Sequence, residues 1–149
     1  MTRINLVPVQ DLADQHLFAE WREIKMVPAA LRRSLKTRKI GDILAGIPLR
    51  YTLNKGHVTF FFNKMKFLTE RYELLTEELV NREYNINADP DFRIFCGDLP
   101  HEFNKIDWQP DNKEIAINVE RILLRISEKP DWYKYYSEKL EPSFYERYK

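Results

Sequence analysis

The chain has one cysteine, Cys96, among 149 residues. A lone thiol closes no internal disulfide, so a reducing cytoplasm is expected. Only four residues are glycine, which excludes a flexible or collagen-like chain. No apolar run approaches the ~20 residues that span a bilayer. Arg3 and Asn5 interrupt any signal-peptide pattern, so no membrane partner is expected. The three histidines, His16, His57 and His101, lie far apart, and none belongs to an HxxxH or CxxC pattern. No metal site is expected from that spacing. There is neither a glycine-rich phosphate loop nor a GxSxG elbow. Cys96, next to Gly97, lacks the local signature of a catalytic thiol and reads as a small buried residue. No cofactor is called for.

What remains is a globular composition, 44% hydrophobic and 32% charged, in a length that suits one domain over residues 1–149. The net charge of +1 conceals segregation. Residues 22–39 hold seven bases (Arg22, Lys25, Arg32, Arg33, Lys36, Arg38 and Lys39) against one acid, Glu23. Residues 85–114 hold seven acids against three bases. A positive patch on a neutral protein steers a polyanion, though a solvated helix face gives the same pattern.

Residues 1–10, with Pro8, read as an extended arm. A helix follows, with Asp11 or Asp14 as candidate caps. Leu17, Trp21, Ile24, Leu31 and Leu35 form its apolar stripe, and Pro28 predicts a kink or break. His16 and Glu23 share a face beside that stripe, ~10 Å apart at the helical rise. Residues 40–56 form a long connection. The run His57–Phe62 reads as the first buried turn of a second helix rather than a strand. That helix spans about residues 63–84, with Leu68, Tyr72, Leu75 and Leu79 inward and Lys66–Glu70 and Glu78–Arg82 as i,i+4 pairs. Residues 85–110 read as irregular.

The third helix opens with a capping box, Asp111 and Glu114, and stops at Pro130. Ile115, Val119, Ile122 and Ile126 form its stripe, and Arg121, Arg125 and Lys129 form a basic ridge. An aromatic tail starts at Trp132. No strands pair visibly. The expected fold is all-α: a compact single domain of three main helices with long irregular connections.

One chemical possibility lies at the start of the chain. If Met1 is removed, Thr2 carries a free α-amino group with an ordinary pKa near ~8, so part of it is a neutral nucleophile. Neighbouring cations such as Arg3 and Arg22 would lower that pKa further. A carboxylate such as Glu23 would orient the amine and shuttle protons. By residue type alone the ordinary reading prevails, since nearly every chain has a terminal amine and a glutamate on a helix is usually just solvated.

Several blocks together carry a more specific signal. They are Met1–Leu6 (MTRINL), Leu12–His16 (LADQH), Glu20–Glu23 (EWRE), Gly56–Phe61 (GHVTFF), Ile115–Ile117, Arg121 with Arg125, and Pro130 with Trp132–Tyr136 (WYKYY). In order and spacing they resemble the phage endonuclease V family, pyrimidine-dimer DNA glycosylases with AP-lyase activity. The resemblance implies a compact three-helix fold with no metal or cofactor. It implies that the Thr2 amine attacks C1′ of the damaged nucleotide and forms an imine, and that Glu23 carries the imine on to β-elimination. It also implies DNA contacts from Arg3, Gln15, His16, Arg22, Arg121 and Arg125. The partner would be double-stranded DNA bearing pyrimidine dimers or abasic sites, bound by a monomer.

The chain departs from that pattern at Ile24-Lys25-Met26 before Pro28, at Trp21 where Tyr is common, and in residues 137–149. Two other classes remain beside this reading. One is a non-catalytic DNA-binding protein of the same fold. The other is an interaction module that uses the aromatic tail.

Overall fold

Proline at position 28 decides how the first predicted helix divides. Pro28 has no N–H to give the Ile24 carbonyl, and its ring would collide with that carbonyl in a continuous helix. In the computed structural model, which describes residues 3–149, the helix splits one turn upstream. Helix α1 (Asp14–Glu23) ends there, and α2 (Met26–Leu35) begins with Pro28 in its first turn, where a missing donor costs nothing. Neither candidate aspartate caps α1. Ala13 holds the cap position, and Asp14 sits inside the first turn with its carboxylate turned to other partners.

Beyond them lie α3 (Ile40–Ala45), α4 (His57–Phe60), α5 (Met65–Asn81), α6 (Phe92–Gly97) and α7 (Asn112–Glu128). The mostly α expectation holds. Among the described residues there are seven α-helices, with short 3₁₀ segments before, between and after them. Helix α1 packs on α5, whose Leu68, Tyr72, Leu75 and Leu79 are all buried as the stripe predicts. Trp21 stacks on Tyr72 and donates its indole N–H to Thr76 Oγ1 at 2.9 Å. Each side chain wholly removed from water here contributes on the order of 2 kcal/mol.

His57–Phe60 is helical as expected, and Gly56 is what permits it. Gly56 has φ +100°, and a Cβ there would lie 3.1 Å from Pro48 Cγ. A larger residue would meet both strain and crowding. The ion pair expected between Lys66 and Glu70 is replaced by one from Lys66 to Asp107, at 3.7 Å. The Glu78–Arg82 pair forms, at 2.8 Å, and is buried.

Residues 85–110 are more regular than expected. Phe92, Cys96, Leu99 and Phe103 are buried at helical spacing, across α6 and a 3₁₀ turn at His101–Phe103. Pro90, Gly97 and Pro100 interrupt the pattern and mask it in the sequence.

Helix α7 opens with the capping box: Glu114 N–H donates to Asp111 Oδ1 at 2.8 Å, and Asp111 N–H to Glu114 Oε1 at 3.1 Å. Its buried face runs through Glu114, Asn118, Ile122 and Ile126, while Ile115 and Val119 are half-buried. The stripe is thus rotated toward two polar residues.

The tail does contain a strand pair. β1 (Lys134–Tyr135) and β2 (Glu138–Lys139) are antiparallel around Tyr136 and Ser137, with φ values of 52° and 65°. Left-handed backbone is costly without glycine. The Asp14 carboxylate holds it, accepting from Tyr136 N–H at 3.0 Å and Ser137 N–H at 2.7 Å. Residues 142–148 form a 3₁₀ segment that buries Phe144. Among the described residues no helix is long and apolar enough to cross a membrane.

Candidate active site

The N-terminal arm is bonded down from both sides. Ile4 N–H donates to His57 Nε2 at 2.8 Å, and Ile4 C=O accepts from the Tyr51 hydroxyl at 2.8 Å. Leu6 and Val7 give their N–H groups to Asn118 Oδ1 on α7, at 2.7 and 3.2 Å. Asn118 Nδ2 donates to Asn5 Oδ1 at 2.8 Å, and Asn5 Nδ2 donates to Glu20 Oε1 at 2.9 Å. Arg71 of α5 donates to both Glu20 oxygens, at 2.7 and 3.1 Å, and to Val7 C=O at 2.7 Å. Buried backbone polar groups need such partners, so an arm without regular structure is fixed as firmly as a strand.

This clamp delivers Arg3 to a cavity of about 180 Å³ between the arm, α1, α7 and the tail. His16, Glu20 and Glu23 of α1 face it, with Arg121 and Arg125 of α7 and Tyr133 of the tail. His16 lies against Tyr133 with ring centroids 4.7 Å apart. A larger cavity of about 320 Å³ lies between α5 and α6 and includes none of these residues.

The two carboxylates in the site are not equivalent. Glu20 is committed to Arg71 and Asn5, whereas Glu23 makes no hydrogen bond or ion pair among the described residues. Cations predominate. Burial, then the nearby Arg121 and Arg125, hold the Arg3 guanidinium below its usual pKa. Burial, then Arg125 and Arg3, push His16 down to about 4, so His16 is neutral at physiological pH. Arg3 Nη1 and His16 Nδ1 are buried and have no hydrogen-bond partner among the described residues. Three guanidiniums crowded together and two unsatisfied donor or acceptor sites suit an anionic, hydrogen-bonding ligand.

A family model described as pyrimidine dimer DNA glycosylase matches residues 1–91. The chain belongs to that family. It is therefore a DNA glycosylase of repair, with DNA as its substrate. The match takes in the arm, α1 and the basic window but stops short of α7 and the tail. The fold adds Arg121, Arg125 and Tyr133 to the same cavity.

The other site residues expected from the sequence are placed as follows. Thr2 lies outside the described residues. Arg22 is exposed, with its guanidinium 5.1 Å from the Phe18 ring centre, and does not line the cavity. Gln15 is tied to the tail: its Nε2 donates to Trp132 C=O at 2.8 Å, and its Oε1 accepts from Lys134 N–H at 2.9 Å. The aromatic block is divided. Tyr133 faces the cavity, Trp132 is exposed, and Tyr135 and Tyr136 cover the Arg82 guanidinium, 4.6 and 4.9 Å from their ring centres. Part of the basic window is absorbed internally, since Lys25 pairs with Asp89 at 3.7 Å and Arg32 donates to Phe95 C=O at 2.9 Å.

Sequence reasoning missed the residues that build the clamp: Tyr51, His57, Arg71 and Asn118. Two of them left a trace: His57 inside the Gly56–Phe61 block, with no role given to it, and Asn118 as a polar residue one turn before Ile122 on the inward face of α7. No group of three or more His, Cys, Asp or Glu among the described residues is arranged to hold a metal ion.

Proposed function

We propose that this glycosylase excises cyclobutane pyrimidine dimers through the α-amino group of Thr2, freed by removal of Met1, and then cleaves the strand as an AP lyase. In the first step the amine nitrogen bonds to C1′ as the bond from C1′ to the base breaks. The departing base takes a proton as the bonded amine gives one up; the C1′–O4′ bond then breaks, O4′ takes a proton, and a protonated imine joins Thr2 to the opened sugar. In the second step a proton leaves C2′, the C3′–O bond breaks, and the 3′ phosphate departs. Glu23 serves both steps by stabilising the cationic imine and moving protons.

The observation that carries this reading is the convergence of Arg3, His16, Glu23, Arg121 and Arg125 on one small cavity. Thr2 is covalently joined to Arg3, and consecutive Cα atoms lie about 3.8 Å apart. Glu23 is the carboxylate there that has no partner among the described residues. Arg3, Arg121 and Arg125 are suited to the phosphates flanking the lesion, and neutral His16 to a hydrogen bond with sugar or base. Arg22 takes a phosphate outside the cavity, and Gln15 acts through the tail that carries Tyr133. The chain works as a monomeric single domain, and abasic sites are substrates for the lyase step alone.

Borohydride trapping on a duplex carrying one thymine dimer tests the proposal, with intact mass read alongside. The expected result is a reduced covalent adduct mapped to Thr2 in protein lacking Met1. Correctly processed protein that binds the duplex but forms no adduct would instead be a DNA-binding relative without the chemistry.

A further inference from the structure

The clamp on Ile4 depends on the protonation state of one side chain. His57 Nδ1 lies 2.7 Å from Thr52 C=O and must donate to it, because a carbonyl only accepts. His57 Nε2 must then be the unprotonated nitrogen that accepts Ile4 N–H at 2.8 Å. The ring is thus fixed as the neutral Nδ1–H tautomer. An imidazolium would set a second N–H against that of Ile4. Ile4 is fully buried, so no water replaces the lost acceptor. The Tyr51 hydroxyl grips the other side of the same residue, on Ile4 C=O.

We infer that His57 is a positioning residue for the terminal amine: neutral, it holds the arm at Ile4, and protonated, it releases the arm and stops base excision. The inference rests on the proposed use of the Thr2 amine, two residues from this bond.

The surroundings support it. His57 packs edge-on against Tyr51 and Phe61, each with ring centroids 5.6 Å away. The charged groups facing it are Arg3 from the arm and Arg121 from α7, and both oppose an imidazolium. Burial opposes it more strongly still, while the hydrogen bond to Thr52 works the other way. The net direction is downward, so the clamp is intact at neutral pH and opens in acid. DNA phosphates neutralising Arg3 and Arg121 would raise the opening pH in the complex.

Two readouts test this. The first follows the Ile4 amide and the His57 ring nitrogens by NMR as wild-type protein is acidified. The Ile4 amide is expected to shift with the same midpoint as the ring. The second compares kcat/KM for dimer excision across pH in wild type and His57→Gln, whose amide oxygen accepts Ile4 N–H without titrating. Wild type is expected to lose about tenfold per pH unit as the amine is protonated and about a hundredfold per unit below the ring midpoint, where the amine and His57 must both be unprotonated. In His57→Gln the steeper part of the acid limb is expected to disappear, leaving about tenfold per pH unit from the amine alone, with the wild-type excess loss falling on kcat more than KM.

The inference is overturned if the Ile4 amide ignores the ring or if the ring stays neutral down to global unfolding. A His57→Gln variant that keeps the wild-type acid limb also overturns it. If wild type excises nothing at any pH, the proposed function fails instead, and the Ile4 titration alone decides whether the clamp is real.

Discussion

At the residue scale, two carboxylates one turn apart on α1 have opposite duties. Glu20 is buried at 1% exposure and bonded to Arg71 and Asn5, whereas Glu23 is half-buried and has no hydrogen bond or ion pair among the described residues. Glu20→Gln strands the buried Arg71 charge and is expected to cost roughly 3–5 kcal/mol. Glu23→Gln is expected to leave stability within about 0.5 kcal/mol and to leave DNA binding largely intact while abolishing strand cleavage. Urea denaturation together with a cleavage assay on dimer-containing duplex separates the two. A cleaving Glu23→Gln enzyme would remove that residue from the chemistry. Sequence reasoning singled out Glu23 and met Glu20 only as part of the Glu20–Glu23 block. It could not see Arg71, which is 51 residues away in the chain.

His16 supports a prediction at the same scale. Its pKa is about 4 in the fold and 6.5 ordinarily, so the folded state favours the neutral ring. That contribution is complete above pH 6.5 and is lost as pH falls toward 4. Between pH 7 and pH 5, wild type is expected to lose about 2 kcal/mol more than His16→Leu, which cannot titrate. Denaturant midpoints at the two pH values measure this. Equal losses would place His16 in contact with water.

At the scale of elements, the arm is held by what it meets rather than by what it is. Residues 4–7 follow no helical or strand period, yet they are buried and their backbone is bonded to α7, α5, α4 and the loop before α4. Asn118→Ala removes the acceptor for two buried N–H groups and the donor to Asn5. The expected cost is on the order of 3 kcal/mol, with faster hydrogen exchange at Leu6 and Val7 as its specific mark. Unchanged exchange there would mean that the arm docks without α7.

The same distinction explains what was legible in the chain. The stripes of α5 and the capping box of α7 are local patterns, and they were read correctly. The break before Pro28 was anticipated, but its place was set by a clash at Ile24. The hairpin at Tyr136–Ser137 was not seen, because its left-handed residues are held by Asp14, more than a hundred residues away in the chain.

For the whole molecule, a net charge of +1 gives little hint of a DNA enzyme, and the fold shows how the charges are deployed. Several acids of residues 85–114 are neutralised on the spot: Asp89 by Lys25, Asp107 by Lys66 and Asp111 by Arg50. The cations gathered at the candidate cavity, Arg3, Arg121 and Arg125, come from opposite ends of the chain, and Arg121 has no ion pair among the described residues. An arginine that neutralises one DNA phosphate steepens the salt dependence of binding by about one unit in a plot of log K against log salt.

Arg121→Ala is therefore expected to weaken binding to an undamaged duplex and lower that slope by about one. Arg93→Ala offers the contrast. Its side chain is exposed and already paired with Glu73 at 2.6 Å on the α5–α6 side, so the slope should stay unchanged. Binding isotherms at several salt concentrations decide between a DNA face at α7 and a merely solvated basic ridge. If both variants keep the wild-type slope, Arg121 neutralises no phosphate, and the positive end of the cavity serves the reacting sugar alone.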